Sequence, residues 1–196
     1  MILSDQEILQ AHKDGEFLCW PWNSANVQPA SIDVTLATDF LFMNHEVGFI
    51  DVMEPKGIEM LYRPIRSTHV LLHPGCFVLA TTEEVIHLGH NSQGEYTLVA
   101  KLEGRSSLAR LGVQIHATGG FIDPGFRGQI TLEMTNMSPV PVRLHAGMRI
   151  AQLALMRCGP VAHPYQGKYM NQSGATPSAI AADAELVAMA RARGAN

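Results

Sequence analysis

Residues 129–135 read QITLEMT, with apolar and polar side chains in strict alternation. In a strand, Ile130, Leu132 and Met134 of this stretch share one face, whereas Thr131 and Glu133 lie on the other. Alternation of this kind predicts a β-strand that buries one face and leaves the other polar.

Similar short runs recur along the chain. Residues 31–36 read SIDVTL and residues 76–81 read CFVLAT, and Gly, Pro, Asn and a His-Pro-Gly turn separate such runs between residues 17 and about 165. Regularly spaced short strands with turn signals predict a mainly β barrel, sandwich or jelly roll.

Both ends of the chain have helical signals. Ser4 and Glu7 have the spacing of a capping box, which predicts a helix from Ser4 to Lys13. Residues 179–194 are rich in Ala, include Glu185, Leu186 and Met189, and have high helix propensity. Residues 166–178 are rich in Gly, Gln, Asn, Ser and Pro, which predicts a loop or arm before that tail.

The composition narrows the class of protein. The chain has 196 residues and a formal net charge of −4, which indicates one globular domain and disfavours nucleic acid as a partner. Its three cysteines form no CxxC pair, so the simplest interpretation is a protein of the reducing cytoplasm. No stretch approaches the roughly 20 apolar residues of a membrane span, so no membrane partner is expected.

The stretch GRSSLAR at 104–110 is a candidate anion site. Ser106 or Ser107 can cap a helix that starts there, and exposed amides at a helix start bind phosphate oxygens. Arg105 and Arg110 add positive charge. The alternative, which spacing alone favours, is an ordinary surface helix cap with two solvated arginines.

A second candidate is the turn between residues 116 and 128. Pro124 and Gly125 suit the central positions of a type II turn. Asp123 beside them is suited to bind a sugar hydroxyl, and Phe126 is suited to stack on a sugar or base. A plain hairpin braced by Asp123 explains the pattern equally well.

Glu133 lies on the polar face of the strand at 129–135. A carboxylate there is most often only solvated, and the functional alternative is a general base that activates water. The H-x-E and P-C-x-x-C motifs of zinc deaminases do not occur, so any deamination is expected to proceed without zinc.

An ordered set of motifs runs through residues 1–178. It begins with QPASIDV at 28–34, LHPG at 72–75, LEGRSSLARLG at 102–112, IDPGF at 122–126 and TLE at 131–133. It continues with AGM at 146–148, then Ile150, Gln152, Leu153, Pro164, Tyr165, Lys168, Tyr169 and Gln172. Together these stretches resemble the dCTP deaminase family, a sister of the trimeric dUTPases.

The resemblance implies a mainly β, distorted jelly-roll or β-barrel fold of the dUTPase-like (β-clip) type. A short N-terminal helix and a C-terminal arm and helix would complete it. The chain would form a homotrimer with active sites between subunits. Residues 1–178 would be one nucleotide deaminase domain, and residues 179–196 a helical tail.

The resemblance also implies residue roles. Glu133 would be the catalytic base, and Ser106 and Arg110 would position the attacking water and stabilise the adduct. The implied substrate-binding residues are Arg105, Ser107, Asp123, Phe126, Thr131, Leu132, Gln152, Tyr165, Lys168 and Gln172. Mg²⁺ would bind through the triphosphate and water, with no protein ligand and no zinc. Thr118 lies in the turn that would carry feedback inhibition by dTTP.

The main functional expectation is hydrolytic deamination of dCTP to dUTP and ammonia for pyrimidine deoxynucleotide synthesis. The alternative is a bifunctional enzyme that continues to dUMP, because Gly120 stands where dUTP-forming members often have a bulkier residue. In that case Asp123 would activate a second water. Lesser alternatives are a deaminase that also accepts CTP and a non-catalytic nucleotide-binding trimer.

Overall fold

The computed structural model describes residues 1–44, 48–53 and 58–194. The N-terminal helix α1 (Asp5–Lys13) begins as predicted, because Ser4 Oγ accepts from the Glu7 amide and Glu7 Oε2 accepts from the Ser4 amide. Ile8 and Ala11 bury the inner face of this helix. The capping box therefore fixes where α1 begins, and the helix then places Ile8 and Ala11 in the core.

Most of the remaining chain forms short strands. In order, they are β1 (Phe17–Trp20), β2 (Val27–Gln28), β3 (Ser31–Thr35), β4 (Asp39–Met43), β5 (Tyr62–Arg66), β6 (His69–Leu72), β7 (Phe77–Leu88), β8 (Leu98–Gly104), β9 (Val113–Gln114), β10 (Phe121–Ile122), β11 (Arg127–Asn136), β12 (Val142–His145) and β13 (Arg149–Arg157). One-turn helix α2 (Ser106–Ala109) and C-terminal helix α3 (Ala184–Gly194) complete the set, with 3₁₀ turns at Ser24–Asn26, Ile58–Leu61 and Ile180–Ala182.

The strands form antiparallel sheets. One sheet has the order β5-β4-β7-β11-β9, with β1 also paired to β7. A second has the order β10-β8-β13-β3-β2, and β12 pairs with β6 as a small ribbon. One hydrophobic cluster draws buried residues from both large sheets, including Val34 and Leu153 from one and Ala80 and Leu132 from the other. The mainly β prediction is confirmed.

The sheets stay open within the described part of the chain. An isolated bridge from Leu36 to Thr82 links the two large sheets, but no continuous ladder joins them. The strands β9 and β10 have two residues each, so they offer too few backbone groups to close either edge. The barrel version of the predicted fold is therefore wrong, and the fold is two open sheets around a common core.

Strand β11 has the predicted alternation. Ile130, Leu132 and Met134 are buried, and Thr131 and Glu133 are half-buried on the opposite face. Its register with β7 shifts between Gln129, which faces Val85, and Thr131, which faces Thr81. Two extra residues of β7 bulge at this point, and Thr82 Oγ1 accepts from the Ile130 amide at 3.0 Å. The irregularity bends the sheet beside the polar face of β11.

The C-terminal segment turns back onto the sheet that contains β11 before α3 begins. Helix α3 confirms the predicted helicity for residues 184–194. The prediction is wrong for residues 179–183, where a 3₁₀ turn (Ile180–Ala182) is followed by Asp183 in extended conformation, and residues 195–196 lie outside the described residues. The division into a domain and a tail at residue 178 stays a prediction. Among the described helices, none has the length and apolar character required to cross a bilayer.

Candidate active site

A cavity of about 410 Å³ opens along the polar face of β11. Six of the side chains predicted from sequence line it, and they come from β11, the turn before it and the C-terminal arm: Asp123, Phe126, Thr131, Glu133, Tyr165 and Gln172. These residues lie up to 49 positions apart in the sequence, and the folding of the arm onto β11 brings them together.

Glu133 is held at the wall of this cavity. Its strand position faces Leu79 of β7, and the Ala117 amide donates to its Oε2 at 2.9 Å. A Cβ atom placed on Gly119 would lie 3.7 Å from Oε1, so the loop at 117–119 leaves little more than van der Waals space there. One carboxylate oxygen is thus fixed by a backbone donor, while the other faces the loop.

Asp123 begins a tight turn into β11. The Phe126 amide donates to the Asp123 carbonyl at 3.1 Å, and Gly125 has a φ of +91°. This geometry confirms the predicted turn, since the third residue of a type II turn needs positive φ. The buried Phe126 ring packs 5.8 Å from the Tyr165 ring, centroid to centroid. The turn leaves the Asp123 side chain at the cavity.

The C-terminal arm, residues 163–183, forms the outer wall of the cavity. Its Gln172 donates through Nε2 to the Gln129 carbonyl at 2.7 Å and accepts from the Gln129 amide at 3.1 Å. Further along, the Thr176 amide donates to Thr131 Oγ1 at 3.2 Å. One backbone–backbone hydrogen bond and two bonds between a side chain and the backbone therefore hold the arm on the first half of β11. This places Gln172 and Tyr165 at the cavity.

Glycines provide the space that the arm occupies. A Cβ atom on Gly125 would lie 2.7 Å from Pro164 Cβ, and one on Gly128 would lie 3.0 Å from the Gln172 carbonyl oxygen. Real Cβ atoms do not approach other heavy atoms as closely as the first of these distances. The arm can follow this path only because both positions lack a side chain.

A second cavity, of about 390 Å³, lies against the end of β8. Its lining contains four more of the predicted residues: Arg105, Ser106, Ser107 and Gln152. Within one chain this group is separate from the cavity that contains Glu133, since none of the four lines that cavity. The residues predicted to act together are divided between two cavities.

Four predicted residues lie in neither lining. Arg110 is exposed at the end of α2, and Thr118 is exposed in the loop that holds Glu133. Lys168 Nζ pairs with Asp183 Oδ2 at 3.3 Å. Leu132 is fully buried, so within one chain neither its side chain nor its backbone is exposed for the predicted contact with a base.

The cap of α2 differs from the prediction. The residue before the helix is Arg105, with extended backbone and no side-chain hydrogen bond to the helix, and Ser106 is already the first helical residue. A serine caps a helix only when it occupies the extended position just before the first helical residue. Because β8 ends at Gly104, Arg105 occupies that position here. Helix α2 is a single turn of four residues, so its helix dipole adds little to the binding of an anion at its N-terminus.

Comparison with known proteins identifies the family. A profile of the dCTP deaminase-like domain matches residues 2–158. The chain belongs to the dCTP deaminase-like family. It is 43% identical over 186 residues to the dCTP deaminase, dUMP-forming, of Bifidobacterium animalis subsp. lactis, covering 91% of this chain and 93% of that protein. The corresponding protein of Thermobifida fusca is 41% identical and shares 91% and 92% of the two chains.

A solved member shows the same fold. The 2'-deoxycytidine 5'-triphosphate deaminase from Agrobacterium tumefaciens superposes with a TM-score of 0.61 at 22% identity. The match covers 81% of this chain and 48% of that one, so the chain spans about half the length of that protein. The resemblance stated from the motifs is confirmed.

The names of these family members correct one expectation. The proteins of Bifidobacterium animalis subsp. lactis and Thermobifida fusca are named dUMP-forming, so the main prediction, a deaminase that stops at dUTP, is wrong. Gly120 is the residue on which the dUMP-forming alternative was based. A Cβ atom there would lie 3.0 Å from both the Leu102 carbonyl oxygen and His116 Cε1, so a bulkier residue would require these neighbours to shift. His116 Nδ1 is itself buried without a hydrogen-bond partner in the described structure.

Sequence reasoning missed Tyr62 of the first cavity, and it quoted Tyr169 as a motif residue without giving it a role in the site. Burial, and then the neighbouring Glu133 and Tyr169, raise the pKa of the Tyr62 phenol above its ordinary value. Tyr62 starts an edge strand with no clear alternation and lies 71 positions before Glu133, so no local signal connects the two residues.

Proposed function

We propose that this chain is a dUMP-forming dCTP deaminase. It would convert dCTP and two waters into dUMP, ammonia and pyrophosphate. The observation that carries the proposal is that Glu133 and Asp123, two carboxylates suited to activate water, line one cavity of nucleotide size. The names of the family members at 41–43% identity support the same product.

The first step is deamination. Glu133 takes a proton from a water that attacks C4 of cytosine, and passes protons to N3 and to the amino group, which leaves as ammonia. A half-buried carboxylate with one oxygen fixed by the Ala117 amide is suited to this exchange, because its orientation is set before the substrate binds. The product of this step is dUTP.

The second step is hydrolysis at the α-phosphate. Asp123 binds the sugar 3'-hydroxyl and activates a second water, which attacks the α-phosphorus and displaces pyrophosphate. Phe126 packs beside the sugar, and the backbone at Thr131 contacts the base edge, while the buried Leu132 supports this part of β11 from the core. The position of Asp123 in the same cavity as Glu133 supports both steps at one bound nucleotide.

Mg²⁺ belongs to the substrate in this proposal. Within the described residues no three His, Cys, Asp or Glu side chains converge on one point, so the triphosphate and water would supply most of its ligands. Both are oxygen donors, which this hard cation prefers. The chain has a net charge of −4 and so does not neutralise the negative charge of the triphosphate as a whole. Bound Mg²⁺ would offset part of that charge.

We further propose a homotrimer of the dUTPase-like jelly-roll type. The division of the predicted residues between two cavities supports it. If Ser106, Ser107 and Arg105 of one subunit face Glu133 of the next, each site is completed between subunits. Arg110, exposed on α2, would reach the adduct by the same route. The arm residues Tyr165, Lys168 and Gln172 would close over the triphosphate, with Lys168 exchanging Asp183 for a phosphate.

A cytoplasmic location and feedback by dTTP through Thr118 are the remaining parts of the proposal. The cysteine pattern supports the first. The exposed position of Thr118 in the loop that holds Glu133 supports the second, because a ligand that moves this loop would move the catalytic base.

A product assay tests the proposal. The protein is incubated with dCTP and Mg²⁺, with CTP and dUTP in parallel, and the nucleotides are separated by ion-exchange chromatography. Formation of dUMP, ammonia and pyrophosphate from dCTP supports it. Accumulation of dUTP contradicts the second step, and turnover of CTP at the same rate contradicts the deoxynucleotide preference. No turnover of any of the three favours a binding-only protein.

A further inference from the structure

Asp33 is a carboxylate buried in the wall of the second cavity. Its side chain is 2% exposed, and it lies in the middle of β3 between the core residues Ile32 and Val34. A charge in such a place is strongly destabilising unless it is paired. Asp33 therefore needs positively charged partners to be stable in this position.

Two arginines share this carboxylate. Arg105 Nε lies 3.6 Å from Asp33 Oδ1, and Arg149 places a terminal guanidinium nitrogen 3.3 Å from Oδ2. The arginines are also joined to each other, since Arg105 donates to the Arg149 carbonyl at 3.4 Å. Arg149 is held further by the Ala25 carbonyl at 3.1 Å. The three residues thus form one cluster, which we call the Asp33 cluster.

The Asp33 cluster keeps a positive charge. One carboxylate and two guanidiniums sum to +1, whereas Asp33 with Arg105 alone would sum to zero. The arginine side chains are 37% and 38% exposed, so their guanidiniums remain accessible to a ligand in water. Asp33 and Arg105 both line the second cavity beside Ser106, Ser107 and Gln152.

We infer that Asp33 and Arg149 are positioning residues for the triphosphate. Asp33 orients Arg105 toward the phosphates, and Arg149 balances Asp33 so that the charge of Arg105 stays available to them. This inference rests on the proposed function, which places Arg105 and its neighbours at the triphosphate. It assigns roles to two residues, Asp33 and Arg149, that lie outside the set predicted to contact substrate.

The first test separates binding from chemistry. Arg149→Gln is expected to raise the KM for dCTP about tenfold, the usual effect of weakening one charge-assisted hydrogen bond, while the kcat of ammonia release stays within about twofold. Arg149→Lys restores the charge and is expected to recover most of the lost affinity. Arg143→Gln removes one exposed arginine of β12 and serves as the charge-matched control. An unchanged KM in Arg149→Gln, or a loss confined to kcat, would overturn the inference.

The second test does not depend on deamination. Inorganic tripolyphosphate is titrated into the full-length wild-type and variant proteins by calorimetry. Arg149→Gln is expected to bind it about tenfold more weakly than wild type and Arg143→Gln. Asp33→Asn is also expected to bind it more weakly, because Arg105 loses the carboxylate that orients it even though the cluster gains one positive charge. Equal binding by all four, or no binding by wild type, would overturn the inference. If wild type binds tripolyphosphate as expected but releases no ammonia from dCTP, the proposed function fails and the inference about phosphate binding stands.

Asp33→Asn leaves two arginines without their buried partner, so its folding must be checked by circular dichroism. Arg149 is half-exposed, and its variants are expected to fold normally. The Arg149 series alone therefore decides the inference if Asp33→Asn does not fold.

Discussion

The Ala117 amide donates to Glu133 Oε2 across 2.9 Å, and this bond joins the loop after β9 to the polar face of β11. It sets the direction of the carboxylate within the first cavity. It also connects the carboxylate directly to the loop that contains Thr118 and Gly120.

Glu133→Gln is expected to abolish deamination without unfolding the protein. The amide keeps an acceptor for Ala117 but cannot take a proton from water, so the rate of ammonia release should fall at least about 100-fold. Glu83→Gln, an exposed neighbour on β7, is the matched control and should release ammonia at the wild-type rate. Normal ammonia release by Glu133→Gln would refute the role of Glu133 as base.

Asp123→Asn is expected to separate the two proposed steps. The turn should persist, since its hydrogen bond uses the Asp123 carbonyl and not the side chain. Pyrophosphate release should fall at least about 100-fold, so that dUTP accumulates from dCTP, whereas ammonia release in the same reaction continues. Ion-exchange chromatography measures both, and continued dUMP formation would exclude Asp123 as the second base.

Gly125→Ala is expected to release the C-terminal arm. The new methyl group would meet Pro164 at 2.7 Å, and the positive φ is strained for alanine, which together should cost about 1–3 kcal/mol in the free energy of unfolding. Gly94→Ala is the matched control, because Gly94 has a φ of +81° but nothing within 4 Å of a Cβ atom. Urea unfolding should show a loss in both variants.

Limited trypsin cleavage at Lys168 distinguishes these two variants. Faster cleavage is expected only in Gly125→Ala, where the new methyl group displaces Pro164 and the arm loses its packing contact with the turn. Equal cleavage in both variants would mean that the turn does not hold the arm.

Glu84 should make stability depend on pH. Burial raises the pKa of the Glu84 carboxyl above 4.5, although hydrogen bonds from the Thr35 amide and hydroxyl oppose the shift. The folded protein then keeps a proton that the unfolded chain has released, so the free energy of unfolding falls as pH rises from 4.5 through the folded-state pKa.

Glu84→Gln removes this ionisation and should reduce the loss of stability that accompanies a rise in pH above 4.5. Urea unfolding at fixed protein concentration measures it, with Glu83→Gln as the exposed neighbouring control. If wild type and Glu84→Gln lose stability in parallel over this range, Glu84 is not the titrating group.

Several features follow from the sequence because they depend on near neighbours. The alternation of residues 129–135, the Ser4–Glu7 capping box and the Pro124–Gly125 turn each need only a few adjacent residues, and all three are found in the structure. The ordered motifs likewise identified the family, since their residue types occur in the same order along the chain as in its members.

Other features were decided by contacts between distant residues. Asp33 meets Arg149 across 116 positions, and Arg105 rather than a serine precedes α2 because β8 extends to Gly104. The pairing of strands and the bulge in β7 determine which residues share a cavity, and a register shift cannot be read from local alternation. The sequence by itself therefore determined the strands, the turn and the family. Only the tertiary structure decided that the predicted site divides between two cavities, and that a buried carboxylate in the wall of one of them pairs with Arg105 and Arg149.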